Sequence, residues 1–433
     1  MDKPAFPNDP RATQAARTAP APGTGMAPLP ATTIVLYSVA NAGANMVYAF
    51  ANTAFPLFLA TYQLPNLVIG FLAQERSFVG GFVQPVVGAI SDRLRGNPLG
   101  RRRPFFLIGV PLTAASLILL SFYPPLWVVV VLLTVFSFFL AVAYDPYLAL
   151  LPDMTPPEQR GRVGGVMAVF NMLGQVSMLL LAIFLWDRNP ALVFWLVAVG
   201  LTGTFAITFV SIKEPPPPSE PPRAPLRYDP IAYVKNVLQY RELSKYVLAT
   251  FFFWFGTGGV VPFLTRFGVD ALHLSESQSF IPVLPAVLGT AIFAVPAGLA
   301  AERLGKKQVL LAGLLLYGLV GVVGAQIVQD LTQALIIMSI IGLANAITTA
   351  LIFPLLADLM PPERAGEFTG LGSLVWSLAQ PIGAVGAGAM ADAMGTLRGA
   401  FLAGGFSVLI AFALLLTVHP ERVRPSRAAA VGA

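Results

Sequence analysis

The amino-acid sequence contains twelve apolar runs, and each is long enough to cross a lipid bilayer, which requires about 20 helical residues. Of its 433 residues, 56% are hydrophobic and only 11% are charged. A soluble protein carries about 25% charged residues, so this chain lacks the polar surface that water would require. The runs are too long and too continuous for the strands of a membrane barrel. The sequence therefore predicts an all-α membrane protein with twelve transmembrane helices.

A proline-rich segment separates the twelve apolar runs into two groups of six. The runs lie near 33–61, 66–91, 104–123, 126–148, 163–186, 191–212, 245–267, 279–301, 308–328, 332–356, 367–391 and 397–418. We predict five parts of the chain: a disordered cytoplasmic N-terminus (1–30), a first six-helix bundle (31–212), a cytoplasmic linker with a short surface helix (213–244), a second six-helix bundle (245–419) and a cytoplasmic tail (420–433).

Basic residues alternate between the connecting segments. If the N-terminus is cytoplasmic, all but four of the 27 Lys and Arg residues fall in cytoplasmic segments. The exceptions are Arg76, inside the second run, and Arg188, Arg266 and Arg398 on the other side. This bias follows the positive-inside rule. It predicts a multi-pass protein of the cell membrane with both termini cytoplasmic, and it explains the net charge of +6 by contact with the lipid bilayer rather than with nucleic acid.

The composition also excludes several kinds of chemistry. The chain has no cysteine and only two histidines, so disulfides, thiolate chemistry and multi-histidine metal sites are not expected. We find no phosphate-binding loop and no nucleophile–base pair. The sequence therefore predicts a protein that is not an enzyme and that holds no metal and no cofactor.

The two halves resemble each other in sequence. "LLPDMTPPEQRGRVGG" (150–165) aligns with "LLADLMPPERAGEFTG" (355–370) at an offset of 205, and Gln175 aligns with Gln380 at the same offset. "SDRL" (91–94) and "GRR" (100–102) match "AERL" (301–304) and "GKK" (305–307), with five extra residues in the first copy. Six helices per copy imply a parallel repeat, with a cavity where the two bundles meet.

The segment "GAISDRLRGNPLGRRRPF" (88–105) resembles the motif between the second and third helices of the major facilitator superfamily. Its stretched loop and "GRRRPF" are similar to those of the sucrose transporters and the related glycoside–pentoside–hexuronide cation symporters. The resemblance implies the major facilitator fold, two pseudo-symmetric six-helix bundles that work by alternating access. Leu148 stands where the sucrose transporters carry an arginine, so the resemblance leaves sucrose itself open.

The resemblance also implies a gate on the cytoplasmic side. There the motif aspartate and its arginines brace the two halves, so Asp92 is expected to pair with an arginine or to cap a second-half helix near Gly366. Simple topological anchoring would explain the arginines equally well. The candidate gate residues are Asp92, Arg93, Arg101, Arg102, Asp153, Glu302, Arg303 and Asp358.

A polar stripe runs along the first predicted helix. Asn41, Asn45, Tyr48 and Asn52 are spaced so that they share one helical face. Polar groups are costly against lipid, so this face points into the protein. It either lines a cavity for a neutral polyol or forms hydrogen bonds between helices. Further candidate binding residues are Asn171, Gln175, Trp254, Asn345, Thr349, Trp376 and Gln380; Trp254 either stacks on a sugar or is a packed or lipid-facing aromatic.

Charged residues inside the predicted helices are candidates for ion coupling. Glu75 and Arg76 lie near the middle of the second run, where Glu75 either carries a proton or belongs to a buried structural network. Asp145 is either a cavity carboxylate or a residue at a helix end that reaches water. Our first hypothesis is a symporter that moves a sugar, a glycoside or a similar small-molecule solute with a proton or sodium, and the resemblance implies a monomer. The alternatives are a proton-driven exporter of amphipathic compounds and a non-transporting membrane scaffold that binds a partner or pigment.

Overall fold

The computed structural model describes residues 28–94, 97–215, 240–360 and 365–420, and for residues 365–371 it describes the backbone only. Most of the predicted N-terminal segment, of the predicted linker with its surface helix, and of the predicted tail therefore lies outside the described residues.

Twelve helices follow one another along the described chain, in agreement with the twelve apolar runs. Their bounds are α1 Ala31–Ala60, α2 Asn66–Arg93, α3 Pro104–Leu120, α4 Leu126–Met154, α5 Pro157–Leu185, α6 Pro190–Ser211, α7 Arg241–Asp270, α8 Glu276–Leu304, α9 Lys306–Ile327, α10 Leu331–Leu359, α11 Ala365–Met394 and α12 Arg398–Leu416. Short irregular turns interrupt several of them, at 261–263 in α7, 280–282 in α8 and 320–324 in α9. The predicted all-helical fold is confirmed.

Ten of these helices are long and apolar enough to span a membrane by length and composition, and α2 and α3 are the two others. Helix α3 has 17 residues, slightly fewer than a bilayer requires. Helix α2 has 28 residues, but polar side chains interrupt its middle. Gln74 and Glu75 are buried within the protein rather than exposed to lipid, so α2 spans the bilayer in spite of its lower hydropathy.

The two halves, α1–α6 and α7–α12, have the same internal packing. Helix α1 packs against α5 and α6 as α7 packs against α11 and α12, and α4 packs against α2 and α3 as α10 packs against α8 and α9. Single hydrogen bonds are repeated as well. Tyr37 donates to the carbonyl of Tyr147 at 2.8 Å, and Tyr246 donates to the carbonyl of Ile352 at 2.6 Å. The sequence repeat is therefore a structural repeat.

The two halves meet most closely at one end of the molecule. We call the end that carries residues 91–103 the arginine-rich face, and the end that carries residues 61–66, 187–189 and 392–398 the far face. Near the far face, a methyl group on Gly388 of α11 would lie 2.5 Å from the carbonyl oxygen of Asn66, and one on Gly70 of α2 would overlap the carbonyl of Ala384. Nearer the middle, the Cβ of Gly81 would have 3.1 Å to Ser377. Among the described residues, the backbones of α2 and α11 thus approach each other directly near the far face.

We predict that Gly70→Ala lowers the stability of the protein, because the added methyl group has no space between α2 and α11. The expected loss is about 1–3 kcal/mol, the usual cost of overpacking. Gly80→Ala is the matched control: it lies on the same helix, and no atom of the described residues comes within 4 Å of its Cβ position. Thermal unfolding in detergent measures both, and equal melting temperatures would contradict the prediction.

Candidate functional site

A cavity of about 580 Å³ lies between the two halves, a size that suits a small ligand. Helices of both halves form its wall. Ten of the residues predicted from the sequence line it: Asn45, Tyr48, Asn52, Arg76, Asp145, Asn171, Gln175, Trp254, Trp376 and Gln380. The fold thus brings together side chains that lie up to 335 positions apart in the sequence.

The polar stripe of α1 both forms hydrogen bonds between helices and lines the cavity, which were the two alternatives left open by the sequence. Asn41 is buried behind the wall, where it donates to the carbonyl of Met167 at 2.7 Å and accepts from Tyr144 at 2.8 Å. Asn45, one turn further on, donates to Asn41 at 3.1 Å and lines the cavity. The start of the stripe therefore joins α1 to α4 and α5, and the remainder lines the cavity.

Arg76 is the cation of the cavity wall, and α1 holds it in place. Its guanidinium lies 4.3 Å from the centre of the Tyr48 ring and donates to the side-chain oxygen of Asn52 at 3.0 Å. Tyr48 and Asn52 lie one turn apart, so they contact the same guanidinium from α1. A cation–π contact and a charge-assisted hydrogen bond thus orient Arg76 from one helix.

Glu75, although adjacent in sequence, points away from the cavity. Its carboxylate accepts from Ser137 at 2.7 Å and from Thr134 at 3.4 Å, both on α4. Successive residues on a helix diverge by about 100°, which separates Glu75 from Arg76. Glu75 does not line the cavity, so its contacts favour the structural network over the proton carrier.

Asp145 is the carboxylate of the cavity wall. Its Oδ2 atom is buried and accepts no hydrogen bond from any described residue. Among the described residues, no ion pair joins it to Arg76. The first half therefore presents one cation and one carboxylate to the cavity without pairing them with each other.

Among the described residues, the second half contributes an uncharged, aromatic wall. Trp254 of α7 and Trp376 of α11 pack edge to face, with ring centres 6.1 Å apart and planes at 67°. Phe353 and Gln380 complete this side, and Gln175 across the cavity donates to Asn171. The two walls thus differ: charges and amides lie mostly on the first half, and large aromatic rings on the second.

The structure does not bring Asn345 and Thr349 to the cavity, contrary to our expectation. Asn345 donates to Thr290 of α8 at 3.0 Å, and Thr349 donates to the carbonyl of Asn345 at 2.6 Å. Helix α10 presents Phe353 to the cavity instead. A polar stripe indicates that a helix faces either a polar cavity or hydrogen-bonding groups of another helix. For Asn345 the partner is the neighbouring helix α8.

At the arginine-rich face, basic and acidic residues form one cluster within the first half. Asp153 lies 2.7 Å from the guanidinium of Arg101 and 2.5 Å from that of Arg102, and Asp92 lies 3.2 Å from Arg102. These ion pairs join α2 and the loop before α3 to the end of α4. The expected contact of Asp92 with the second half near Gly366 lies outside the described residues.

Glu214 also belongs to this cluster, although it was not predicted from the sequence. Its buried carboxylate accepts from the backbone N–H of Arg102 at 2.9 Å and lies 3.6 Å from the guanidinium of Arg101. Gly100 has a φ of 94°, and any side chain there would overlap Glu214. The only signal in the sequence that could have identified Glu214 was its position directly before a run of prolines.

The second half repeats part of this arrangement. Lys306 and Asp358 form an ion pair at 2.8 Å, at the positions that correspond to Arg101 and Asp153, and Gly305 has the same φ of 94° as its counterpart Gly100. The other candidate gate residues, Arg93, Glu302 and Arg303, are exposed, and the structure gives them no ion pair among the described residues.

Comparison with known proteins is consistent with this architecture. A model of the Major Facilitator Superfamily matches residues 37–289 and 246–432. The chain is 24% identical over 419 residues to YxiO of Bacillus subtilis, an uncharacterized MFS-type transporter, and the match covers 89% of this chain and 94% of that protein. It is 22% identical over 304 residues to the MFS-type transporter MJ1317 of Methanocaldococcus jannaschii, covering 67% and 71%.

Solved structures share the fold at low sequence identity. A mutant of the peptide transporter POT in complex with alafosfalin has a TM-score of 0.72 and 16% identity, covering 95% of this chain and 98% of that one. The nucleoside transporter NupG has a TM-score of 0.70 and 12% identity, covering 89% and 99%. The narrower resemblance to the sucrose transporters and their relatives stays a prediction.

We predict that Glu214→Ala destabilises the protein by about 1–3 kcal/mol, because the N–H of Arg102 loses its charged partner in a buried position. Glu158→Ala is the control, since Glu158 is exposed and has no hydrogen bond among the described residues; its effect should stay within about 0.5 kcal/mol. Unfolding in detergent, followed by tryptophan fluorescence, measures both. Two equal losses would show that Glu214 is not a structural anchor.

Proposed function

The chain belongs to the Major Facilitator Superfamily, and from this premise we propose that it moves a small polar solute, a sugar or glycoside, across the cell membrane by alternating access. As a member of this superfamily it is a multi-pass membrane transporter and not an enzyme. The observation that carries the proposal is the cavity between the halves, in which polar side chains of the first half face the tryptophans of the second.

The chemistry of the wall supports a solute rich in hydroxyl groups. Side-chain amides such as Asn45, Asn171 and Gln380 both donate and accept hydrogen bonds, as sugar hydroxyls do. The aromatic faces of Trp254 and Trp376 suit the apolar face of a sugar ring. The solute thus binds with its hydroxyls toward α1 and α5 and with one ring face toward α7 and α11.

For energy coupling, Asp145 is the residue that best suits a transported proton. It lies in the cavity wall, and its buried Oδ2 lacks a described partner, whereas Glu75 is held by Ser137 and Thr134. Closure of the cavity buries the Asp145 carboxylate without a partner, and a buried unpaired charge is costly in free energy. Protonation of Asp145 removes this charge and so lowers the free energy of closure. Sodium is the alternative coupling ion. Arg76, which α1 holds at the cavity wall through Tyr48 and Asn52, acts by orienting the solute.

The cellular setting follows from the distribution of charge. We place the arginine-rich face and both termini in the cytoplasm, in accordance with the positive-inside rule. Because contacts between the halves lie at the far face, we propose that the cavity opens toward the cytoplasm. The proposed transporter works as a monomer, since each chain contains both halves of the pathway.

A proton-driven exporter of amphipathic compounds is the second candidate. The aromatic side of the cavity, formed by Trp254, Phe353 and Trp376, favours it, because such a surface binds flat apolar groups. The polar wall of α1 and α5 favours the sugar transporter. The two candidates differ in direction of transport and in solute, so one assay separates them.

Transport by purified protein in liposomes tests the proposal. A thermal-shift screen of sugars, glycosides and hydrophobic cations in detergent first selects a ligand, and uptake of that ligand is then measured under an imposed proton or sodium gradient. Accumulation of a sugar or glycoside supports the proposal. Gradient-driven movement of hydrophobic cations alone, with no sugar or glycoside transported, contradicts it.

We predict that Asp145→Asn abolishes gradient-driven accumulation but leaves exchange of labelled for unlabelled solute, because exchange requires no net proton movement. Glu75→Gln is the matched control: it also removes a carboxylate inside the membrane, but one that lies outside the cavity wall, so it should retain accumulation. Initial rates with and without the proton gradient separate the two. Loss of coupling in Glu75→Gln alone would assign the proton to Glu75 instead.

A further inference from the structure

Two aspartates at the far face, Asp187 and Asp392, each contact the beginning of a helix in the opposite half. Asp187 lies at the end of α5 in the first half, and Asp392 lies near the end of α11 in the second. Neither was singled out in the sequence, where Asp187 stands beside Arg188 and Asp392 is a single charge near a helix end. Both side chains are exposed at the rim.

Asp392 provides the cap that α2 lacks. Helix α2 begins after Pro65, which forms no side-chain cap, and the first turn contains no acidic residue. The two carboxylate oxygens of Asp392 accept from the backbone N–H groups of Asn66 and Leu67, each at 3.0 Å, and from the side-chain amide of Asn66 at 2.7 Å. The first N–H groups of a helix lack partners within it, so a carboxylate from the other half satisfies them.

Asp187 makes the corresponding contact with the beginning of α8. Its carboxylate accepts from the backbone N–H of Ser277 at 2.8 Å and from the hydroxyl of Ser275 at 2.6 Å. Its own N–H donates to the hydroxyl of Ser277 at 2.9 Å. Next to it, the buried Trp186 donates to the carboxylate of Glu276 at 2.6 Å. Here too the end of one helix binds the beginning of a helix in the other half.

The two contacts are related by the internal repeat. Asp187 and Asp392 differ by 205 positions, the offset that aligns the fourth and fifth helices with the tenth and eleventh. Leu67 and Ser277, whose N–H groups they bind, differ by 210, the offset that relates "SDRL" to "AERL". Two copies of one contact therefore join the halves at the far face, one on each side of the solute pathway.

We propose that Asp187 and Asp392 form a paired gate that holds the far face closed while the arginine-rich face is open. This gate rests on the proposed alternating access. When the halves separate at the far face, the carboxylates leave the N–H groups of α2 and α8. Because both carboxylates are exposed, water replaces the lost partners at moderate cost, as a reversible gate requires.

A second set of contacts positions the α2 end of the gate. Arg266 of α7 donates to the side-chain oxygen of Asn66 at 2.5 Å and pairs with Asp270 at 3.0 Å. Asn66 therefore receives a hydrogen bond from α7 while it donates to Asp392 of α11. Arg266, Asp270 and Arg398 are thus the charged residues that share a recess with Asp392, and Arg266 holds Asn66 in the orientation that the gate uses.

Distance measurements between spin labels test the gate directly. The chain has no native cysteine, so labels attach only where cysteines are introduced. Phe122→Cys in the first half and Ile327→Cys in the second are suitable sites, because both side chains are exposed near the far face and neither contacts the gate. The label distance is compared in Asp187→Asn, Asp392→Asn and the double variant, in lipid and without solute.

We expect the population with a long far-face distance to rise about threefold in each single variant and about tenfold in the double variant, since each substitution removes one charged cap. Asp330→Asn is the matched control. Asp330 caps α10 at the same face through the N–H of Gln333, within its own half, so it should leave the distances unchanged.

Unchanged distances in the double variant, or an equal change in Asp330→Asn, would overturn the gate. Elution as a single species and a retained melting transition show that each variant is folded. The measurement requires no solute and no ion gradient, so a failed uptake assay leaves this result valid. If the gate variants shift the distances but no solute is transported in the liposome assay, the proposed solute class fails and the gate stands.

Discussion

The structure depends on one constraint: inside a bilayer, polar groups must find their partners within the protein. Helix α2 illustrates it, because Gln74 and Glu75 interrupt an otherwise apolar run and are buried. Glu75 binds hydroxyls of α4, and Arg76 binds Tyr48 and Asn52 of α1. Glu75 and Arg76 therefore fix the position of α2 against α4 and α1, while other polar side chains of the membrane-spanning helices line the cavity.

The two repeated halves form one kind of contact at the arginine-rich face and another kind at the far face. At the arginine-rich face, Arg101 and Lys306 each bind an aspartate, Asp153 or Asp358, within their own half. At the far face, Asp187 and Asp392 bind helices of the opposite half. The first kind joins helices within each half, and the second joins the two halves at the far face. Rigid halves with an interface that separates at one face at a time are what alternating access requires.

The glycines of α2 and α11 let these two helices meet without large side chains, whereas at the junction of α5 and α8 the buried Trp186 packs on Phe280, with ring centres 5.5 Å apart. Where Gly70 and Gly388 lie, the two helix backbones approach each other directly. Close backbone packing of this kind gains dispersion energy without a hydrophobic driving force, which lipid does not provide. Small residues, the buried ring of Trp186 and the exposed carboxylates of Asp187 and Asp392 together join the halves at the far face.

The sequence by itself determined the twelve helices, the repeat and ten of the side chains that line the cavity. Hydropathy and helical period are local properties, and polar stripes such as Asn45, Tyr48 and Asn52 must face inward wherever the helix lies. Only the tertiary structure decided that Arg76 rather than Glu75 reaches the cavity, that Asn345 binds α8, and that Glu214 anchors the arginine cluster. These outcomes depend on which helices become neighbours and at what rotation, and residues tens to hundreds of positions away set both.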